Sequence, residues 1–286
     1  TTDGGMTISS SFKVMDENTK EDYDAGFTLA FTDGSKLDVI AAGNAAGSHA
    51  VSIPSSAGAE SVTVTSTNAA PTGLDFYTGS TALGIEYHTA SDFLADGLKV
   101  SISASTDSGA VAASTYRTDS HMAIGATYVT DLGDTALTLG AGYSTTDGSR
   151  DGTGIDNDPS GVHLGVSAVT GDLTVAVGFA DGESTTGDSN GKEYTGDVVK
   201  AGVKYVTGDL TFNVGLASGA ATDNTMGSTS TGGSEDSKDV ASASISYAVA
   251  SGVTAILGYT DVDSSDDGAN DTTDGSSWYI GANMSF

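Results

Sequence analysis

The fold is decided by two runs near the C-terminus, SASISYAVASGVTAILGYTDVD at residues 242–263 and SSWYIGANMSF at residues 276–286. In the first run, alanine, isoleucine and tyrosine alternate with serine, and apolar residues return at every second position after the Ser251-Gly252 turn. In the second run the apolar positions alternate again up to Phe286. A period of two with one apolar side is typical of β-strands that are buried on one face only. The tail therefore predicts three antiparallel strands with a common apolar face.

The same alternation recurs along the rest of the chain. Fourteen such runs can be counted from Met6 to Phe286, which favours one all-β domain spanning 1–286. The Asp33-Gly34 pair and the two TGD triplets at 170–172 and 207–209 predict tight hairpin turns. Tight turns alternate with long polar loops, and an antiparallel β-barrel that crosses a membrane has this arrangement.

Composition excludes several functional classes. The chain has 286 residues, 37% hydrophobic residues, no cysteine and a formal charge of −28. This charge argues against nucleic-acid binding, because little basic surface is available to neutralise phosphates. The sequence contains no apolar run of about 18 residues, so it predicts no membrane-spanning helix. Without cysteine there is neither a disulfide framework nor a thiolate metal site.

The ending carries a resemblance to a known class of proteins. Phe286 is the last residue, and it follows Trp278, Ile280 and Met284 at alternate positions. This pattern resembles the closing strand of bacterial outer-membrane β-barrels, in which the barrel-assembly machinery reads such an ending as a signal. Together with the TTDGG opening and the alternating loop lengths, the chain resembles the general porins, especially those of the alphaproteobacterial, Rhodobacter-like type.

The resemblance implies a passive diffusion channel for small hydrophilic solutes in the bacterial outer membrane, in contact with lipid and assembled as a homotrimer. It implies a channel rather than an enzyme, and no catalytic motif is found in the sequence. General porins have sixteen strands, so two strands are expected to precede Thr1, with closure as a fourteen-stranded variant as the alternative. Five alternating residues are expected to face lipid: Leu139, Val175, Phe212, Leu257 and Ile280.

The stretch 43–80 interrupts the alternation and is rich in alanine, serine, threonine and glycine. It occupies the position of the family's third loop, so the resemblance implies that it folds into the barrel and narrows the pore. The expected pore-lining residues are His49, Glu60 and Asp75 of this insert, with Lys13, Glu86, His88, Lys99, His121, His163, Lys200 and Lys204 of the polar strand faces. The arginine cluster of the family's pore is not found here, and the net charge predicts a preference for cations.

Four acidic loops are expected at 144–161, 181–197, 218–240 and 261–276, and they hold 19 of the 38 acidic residues. Clustered carboxylates suit Ca²⁺, and the candidate ligands are Asp261, Asp263, Asp266 and Asp267. Their spacing departs from the EF-hand pattern, so a solvated acidic loop is the alternative reading. These loops also leave a second function open, that of a secreted, acidic, calcium-binding β-rich surface or adhesin protein. An outer face that is apolar on every strand would favour the porin.

Gly140 and Gly142 resemble a fragment of a dinucleotide-binding motif, but they lie inside a predicted strand with no helix after them. Glycine within a strand marks a place where another backbone approaches closely. We therefore expect these two residues to leave room in the lumen or against a neighbouring barrel.

Overall fold

The structure is a computed structural model that describes residues 4–11, 26–39, 44–55, 84–106, 116–150, 158–186, 192–225, 234–265 and 273–285. The described residues form fourteen strands and one short 3₁₀-helix at Gly47–His49. The strands are β1 (Thr7–Ser11), β2 (Gly26–Ala30), β3 (Lys36–Val39), β4 (Gly84–His88), β5 (Leu98–Thr106), β6 (Tyr116–Leu132), β7 (Thr135–Arg150), β8 (Ser160–Thr170), β9 (Leu173–Thr186), β10 (Lys192–Thr207), β11 (Leu210–Thr225), β12 (Ser234–Ala250), β13 (Val253–Ser265) and β14 (Thr273–Met284).

All fourteen strands belong to one antiparallel sheet, and each strand pairs with its neighbours in sequence. The all-β prediction and the strand count are therefore confirmed. In the described part of the chain, β1 pairs with β2 and β14 pairs with β13, and no ladder joins β1 to β14. How the two ends of the sheet are joined, directly or through two further strands, stays a prediction. None of the described helices is long and apolar enough to cross a bilayer.

Tight turns close one end of the sheet. Two-residue turns follow β6, β8, β10 and β12, and residues 31–35 and 89–97 connect the earlier hairpins at the same end. Gly171 and Gly208 of the two TGD triplets adopt positive φ angles of 55° and 56°. Primed hairpin turns need such angles, which glycine adopts without steric cost. At the predicted Asp33-Gly34 turn, hydrogen bonds from the Ser35 backbone and hydroxyl lower the pKa of Asp33.

The predicted loop bounds at the opposite end are wrong, because the strands run on into the acidic stretches. β7 continues to Arg150, β9 to Thr186, β11 to Thr225 and β13 to Ser265. Alternation of apolar residues cannot reveal these extensions, since beyond the apolar band both faces of a strand can be polar. The backbone ladder holds them in place, as in the unbroken register from Thr207↔Leu210 to Lys192↔Thr225.

One face of the sheet is apolar on every strand. Residues paired directly across antiparallel strands lie on the same face, so the register can be followed from one edge to the other. This outward face carries Ile8, Leu29, Leu37, Tyr87, Ile102, Ile124, Leu139, Val166, Val175, Val203, Phe212, Ile245, Leu257 and Ile280. Many of these side chains are exposed, including Ile124 at 49% and Leu257 at 45%. A continuous exposed apolar face fits contact with lipid and does not fit a secreted, water-soluble protein.

The opposite face is polar and is partly covered by the chain itself. Buried on it are Ser101, Ser103, Ser144, Ser244 and the histidines of β4, β6 and β8. The segment 44–55, which includes the 3₁₀-helix, lies against this face along β5 to β11. The candidate site therefore consists of the polar inner wall and the covering segment 44–55 that lies against it.

Candidate pore lining and channel site

The segment 44–55 is fixed to the wall at its beginning by hydrogen bonds. The Ala45 amide donates to the Ser103 hydroxyl at 3.0 Å, and His163 Nε2 donates to the Ala46 carbonyl at 2.7 Å. Ala45 and Ala46 are fully buried, and together with Ala123 of β6 they form a small core. The start of the segment is therefore a packed part of the wall.

Farther along, the segment crosses a row of glycines on the inner face, which we name the glycine track. It consists of Gly125, Gly140, Gly142, Gly165, Gly178, Gly202 and Gly215, on β6 to β11. A methyl group on Gly165 would meet Val51, and one on Gly202 would meet the Pro54 backbone. Because none of these strand glycines has a positive φ, they are needed for space rather than for backbone conformation. Of the two expectations for Gly140 and Gly142, room in the lumen is the one the structure confirms.

His49 connects the covering segment to the wall. Its ring lies 2.6 Å from Thr127 Oγ1 through Nδ1 and 2.7 Å from Ser101 Oγ through Nε2. Burial, and to a smaller extent the proximity of Lys99, His88 and His163, lowers the pKa of His49 to about 4. The ring is therefore neutral at neutral pH, and a neutral ring can both donate to and accept from the two hydroxyls.

A second polar cluster lies beside His49 on β3 and β4. His88 Nε2 is 3.2 Å from Asp38 Oδ2 and 3.5 Å from Glu86 Oε1, and its Nδ1 is 2.7 Å from Ser101 Oγ. The Lys36 ammonium lies 2.9 Å from Asp38 Oδ2. The Ser48 hydroxyl of the covering segment donates to Glu86 at 2.9 Å. Ser101 thus links both histidines, and Glu86 links the cluster to the segment.

The other predicted residues of the polar face are more widely spread. Lys99 lines a cavity of about 630 Å³ together with His49 and His88, and Lys200 lines a smaller one beside Val51 and Ile53. Lys204 lies on the same face, nearer the tight turns, and is exposed. His121 Nδ1 lies 3.1 Å from Thr146 Oγ1, and its buried Nε2 has no hydrogen-bond partner among the described residues. These placements suit a polar lumen wall, and the role of each residue in lining a pore stays a prediction.

Several predicted site residues lie outside the described residues: Lys13, Glu60, Asp75, Asp266, Asp267 and Phe286. The segment 43–80 is described only from 44 to 55. Three of the four predicted assembly-signal residues are described, and they lie on the outward face of β14. Trp278, Ile280 and Met284 are 70%, 86% and 63% exposed, and the Trp278 ring packs 4.7 Å from that of Tyr259.

Several described aspartates of the rim face outward. Register places Asp147, Asp181, Asp197, Asp239, Asp261, Asp263 and Asp274 on the same side as the apolar face, and we name them the acidic belt. Asp263 pairs across the sheet with Asp239 and with Asp274, and Asp181 pairs with Asp197. Asp261 accepts a hydrogen bond from the Tyr259 hydroxyl at 3.0 Å. Two of the four predicted calcium ligands therefore lie on the outward side of β13, and calcium binding there stays a prediction.

The sequence reading missed several members of the site. Lys36, Ser48, Ser101 and Thr127 belong to the hydrogen-bonded network, and Lys238 lies on the polar face of β12. Lys36 could have been placed on the polar face from its alternation with Leu37. The hydroxyls have no distinguishing sequence signal, because serine and threonine fill most polar-face positions. The glycine track did leave a signal in its mid-strand glycines at corresponding depths on neighbouring strands.

The comparisons agree with this architecture. The Gram-negative porin family matches residues 1–267. A comparison with curated proteins returned no match. Among solved structures, OmpT of Vibrio cholerae, an outer membrane protein folded in vitro in its trimer form, is similar with a TM-score of 0.57 and 13% identity, over 91% of this chain and 79% of that one. The anion-selective porin from Comamonas acidovorans is similar with a TM-score of 0.51 and 10% identity, over 91% of this chain and 72% of that one.

At such low identity the two structures support the barrel fold alone, whereas the family match extends over nearly the whole chain. A polar wall beneath a covering segment is suited to passage of solutes. The chain belongs to the Gram-negative porin family, and it is a diffusion channel of the outer membrane.

Proposed function

We propose that this porin passes small hydrophilic solutes through a pore that the insert 43–80 narrows, with residues 44–55 as its anchored part. The observation that carries the proposal is the glycine track. It lets the segment lie directly on the wall along β6 to β11 instead of projecting into the lumen. A constriction held in this way has a defined width, because packed backbone has less freedom than a free loop.

The charged residues support an ion selectivity that has a long-range and a short-range component. The acidic belt and the formal charge of −28 produce a long-range negative potential that attracts cations to the mouth. The polar face carries Lys36, Lys99, Lys200, Lys204 and Lys238, along with Asp38, Glu86 and Asp131. A permeating ion comes closest to these inner groups, so we propose a cation preference that depends on the ionic strength.

The finer features of the family resemblance are also proposals. We propose that the chain is of the alphaproteobacterial type, that it assembles as a homotrimer in contact with lipid, and that the barrel-assembly machinery reads its last strand. The support is the exposed apolar row at Trp278, Ile280 and Met284, and the outward face that is apolar on every strand. Calcium at the rim is also proposed, with Asp261, Asp263, Asp266 and Asp267 as the candidate ligands.

Recording in planar lipid bilayers tests the channel directly. Purified, refolded protein is expected to give stepwise increases in current, each corresponding to insertion of one channel unit. Partition of neutral sugars of increasing size, read from the drop in conductance, then measures the width of the constriction. Repeated recordings with folded protein and no current steps would refute the proposal.

A further inference from the structure

We propose that Asp38, Glu86 and His88 form a binding site for a divalent transition-metal cation of the Zn²⁺ class on the inner wall. Asp38 and Glu86 are direct partners in the β3–β4 ladder, and His88 lies two residues along on the same face. One ligand atom from each residue lies within 4.8 Å of the other two. In the part of the chain that the structure describes, this is the sole group of three such ligands.

The spacing of the ligand atoms suits a small cation. Four ligands placed tetrahedrally at about 2.0–2.1 Å from Zn²⁺ lie about 3.3 Å from one another. His88 Nε2 is 3.2 Å from the Asp38 oxygen and 3.5 Å from the Glu86 oxygen. An imidazole nitrogen with two carboxylates favours Zn²⁺ over Ca²⁺, which prefers a larger set of oxygen ligands.

The surroundings of His88 also match those of a metal ligand. A ligating histidine usually donates its other ring N–H to an oxygen, which fixes the ring and its tautomer. The Nδ1 atom of His88 lies 2.7 Å from the hydroxyl of Ser101, which is only 1% exposed. With Nδ1 as donor, the Nε2 lone pair points at two carboxylates, and a cation between these three atoms would satisfy all of them.

The charges around the three ligands and the access of ions to them also favour metal binding. Two carboxylates share one ion-paired ammonium, that of Lys36, while Lys99 lines the adjoining cavity. The Lys36 side chain is 41% exposed, whereas that of Asp38 is 18% exposed, so the lysine can swing away. The adjoining cavity of about 630 Å³ gives an ion access to His88. Lys36 is therefore expected to compete with the metal for Asp38.

Binding of Zn²⁺ to the folded full chain in detergent, in excess Mg²⁺ to occupy the exposed acids, tests the proposal without any channel measurement. Competition with a zinc-sensitive dye is expected to show one Zn²⁺ per chain. The substitutions Glu86→Gln and His88→Gln should each weaken binding by at least about ten-fold, since even changes behind the ligands have effects of this size. His121→Gln, on the same face but bonded neither to the cluster nor to the segment 44–55, is the matched control and should bind like the parent.

Lys36→Met provides a second readout that does not depend on a weakened variant, because removal of the competing ammonium should tighten binding. X-ray absorption of the zinc complex should show one imidazole nitrogen among oxygen ligands. Absence of stoichiometric binding in the parent protein would overturn the proposal. Equal affinities in the parent, Glu86→Gln, His88→Gln and Lys36→Met proteins would overturn it as well, by assigning the zinc to other acids.

Discussion

At the scale of single residues, His49 makes attachment of the covering segment sensitive to pH. Its pKa is about 4 in the docked state, against an ordinary value of 6.5. Below pH 6.5 a detached ring takes up a proton and a docked ring does not, so docking weakens as the pH falls from 6.5 towards 4. Above pH 6.5 the ring is neutral in both states and contributes no pH dependence.

Channel conductance measured from pH 7 down to pH 4 is therefore expected to change within this window and to become noisier as the segment detaches. Lys99, His88 and His163 lie close enough to the ring to act on it electrostatically. His49→Gln retains a hydrogen-bonding side chain without the titration, so the difference between the two curves isolates His49. Identical conductance curves for the parent and for His49→Gln would show that His49 does not cause the pH dependence.

Leu139 tests the assignment of the outward face. It is 41% exposed and lies near the middle of the apolar residues of β7. Replacing it with arginine should lower the free energy of unfolding by about 2–4 kcal/mol, as expected for a charge facing lipid near the midplane. Val175→Arg should behave in the same way, and both costs can be measured by reversible unfolding in lipid.

Thr138 is the matched control, because it is adjacent in sequence and faces the lumen. Thr138→Arg should cost much less than Leu139→Arg, since its charge remains in water. Equal costs at the two positions would contradict the facing derived from the β7–β8 register.

At the scale of secondary-structure elements, the glycine track sets how closely the segment 44–55 lies to the wall. In Gly202→Ala the three atoms nearest to the new methyl group all belong to the Pro54 backbone. The substitution should therefore push the segment towards the pore axis and lower the single-channel conductance. Unfolding should be little affected, since alanine is no worse than glycine within a strand.

Gly281→Ala is the control for this experiment. Gly281 lies on the inner face of β14, and a methyl group there meets nothing within 4 Å. Its conductance should equal that of the parent. If Gly202→Ala also matched the parent, the glycine track would not define the position of the segment.

At the scale of the whole molecule, selectivity should depend on salt. The acidic belt acts through the wall and over a distance, whereas the inner lysines act at close range. The screening length is about 10 Å at 0.1 M salt and about 3 Å at 1 M, so salt suppresses the effect of the belt first. Reversal potentials should show a cation preference in dilute salt that shifts towards anions in concentrated salt.

Lys200→Gln combined with Lys204→Gln should weaken that shift, because both side chains lie on the inner face of β10. Asp181→Asn combined with Asp197→Asn should reduce the preference in dilute salt and leave the value in concentrated salt nearly unchanged. Anion preference in dilute salt would contradict the prediction.

Much of the fold could be predicted from the sequence, since alternation places nearly every strand and the outward row from Ile8 to Ile280. The strand extensions could not, because Asp181 and Asp197 sit in stretches without an apolar rhythm and are held by the ladder alone. Alternation also placed Glu86 and His88 on the polar face. It did not predict that these two residues lie close to Asp38. That proximity comes from the β3–β4 register across an insert of more than forty residues, and local spacing carries no information about it.

The acidic belt gives the barrel two unlike sides. Its described members lie on β7, β9, β10 and β12 to β14, and like charges at these places oppose close approach by another copy. The flank of β4 to β6 carries instead an apolar recess lined by Ile85, Ile102 and Met122. We therefore expect molecules crowded into one bilayer to meet flank to flank, with their acidic sides facing lipid or water.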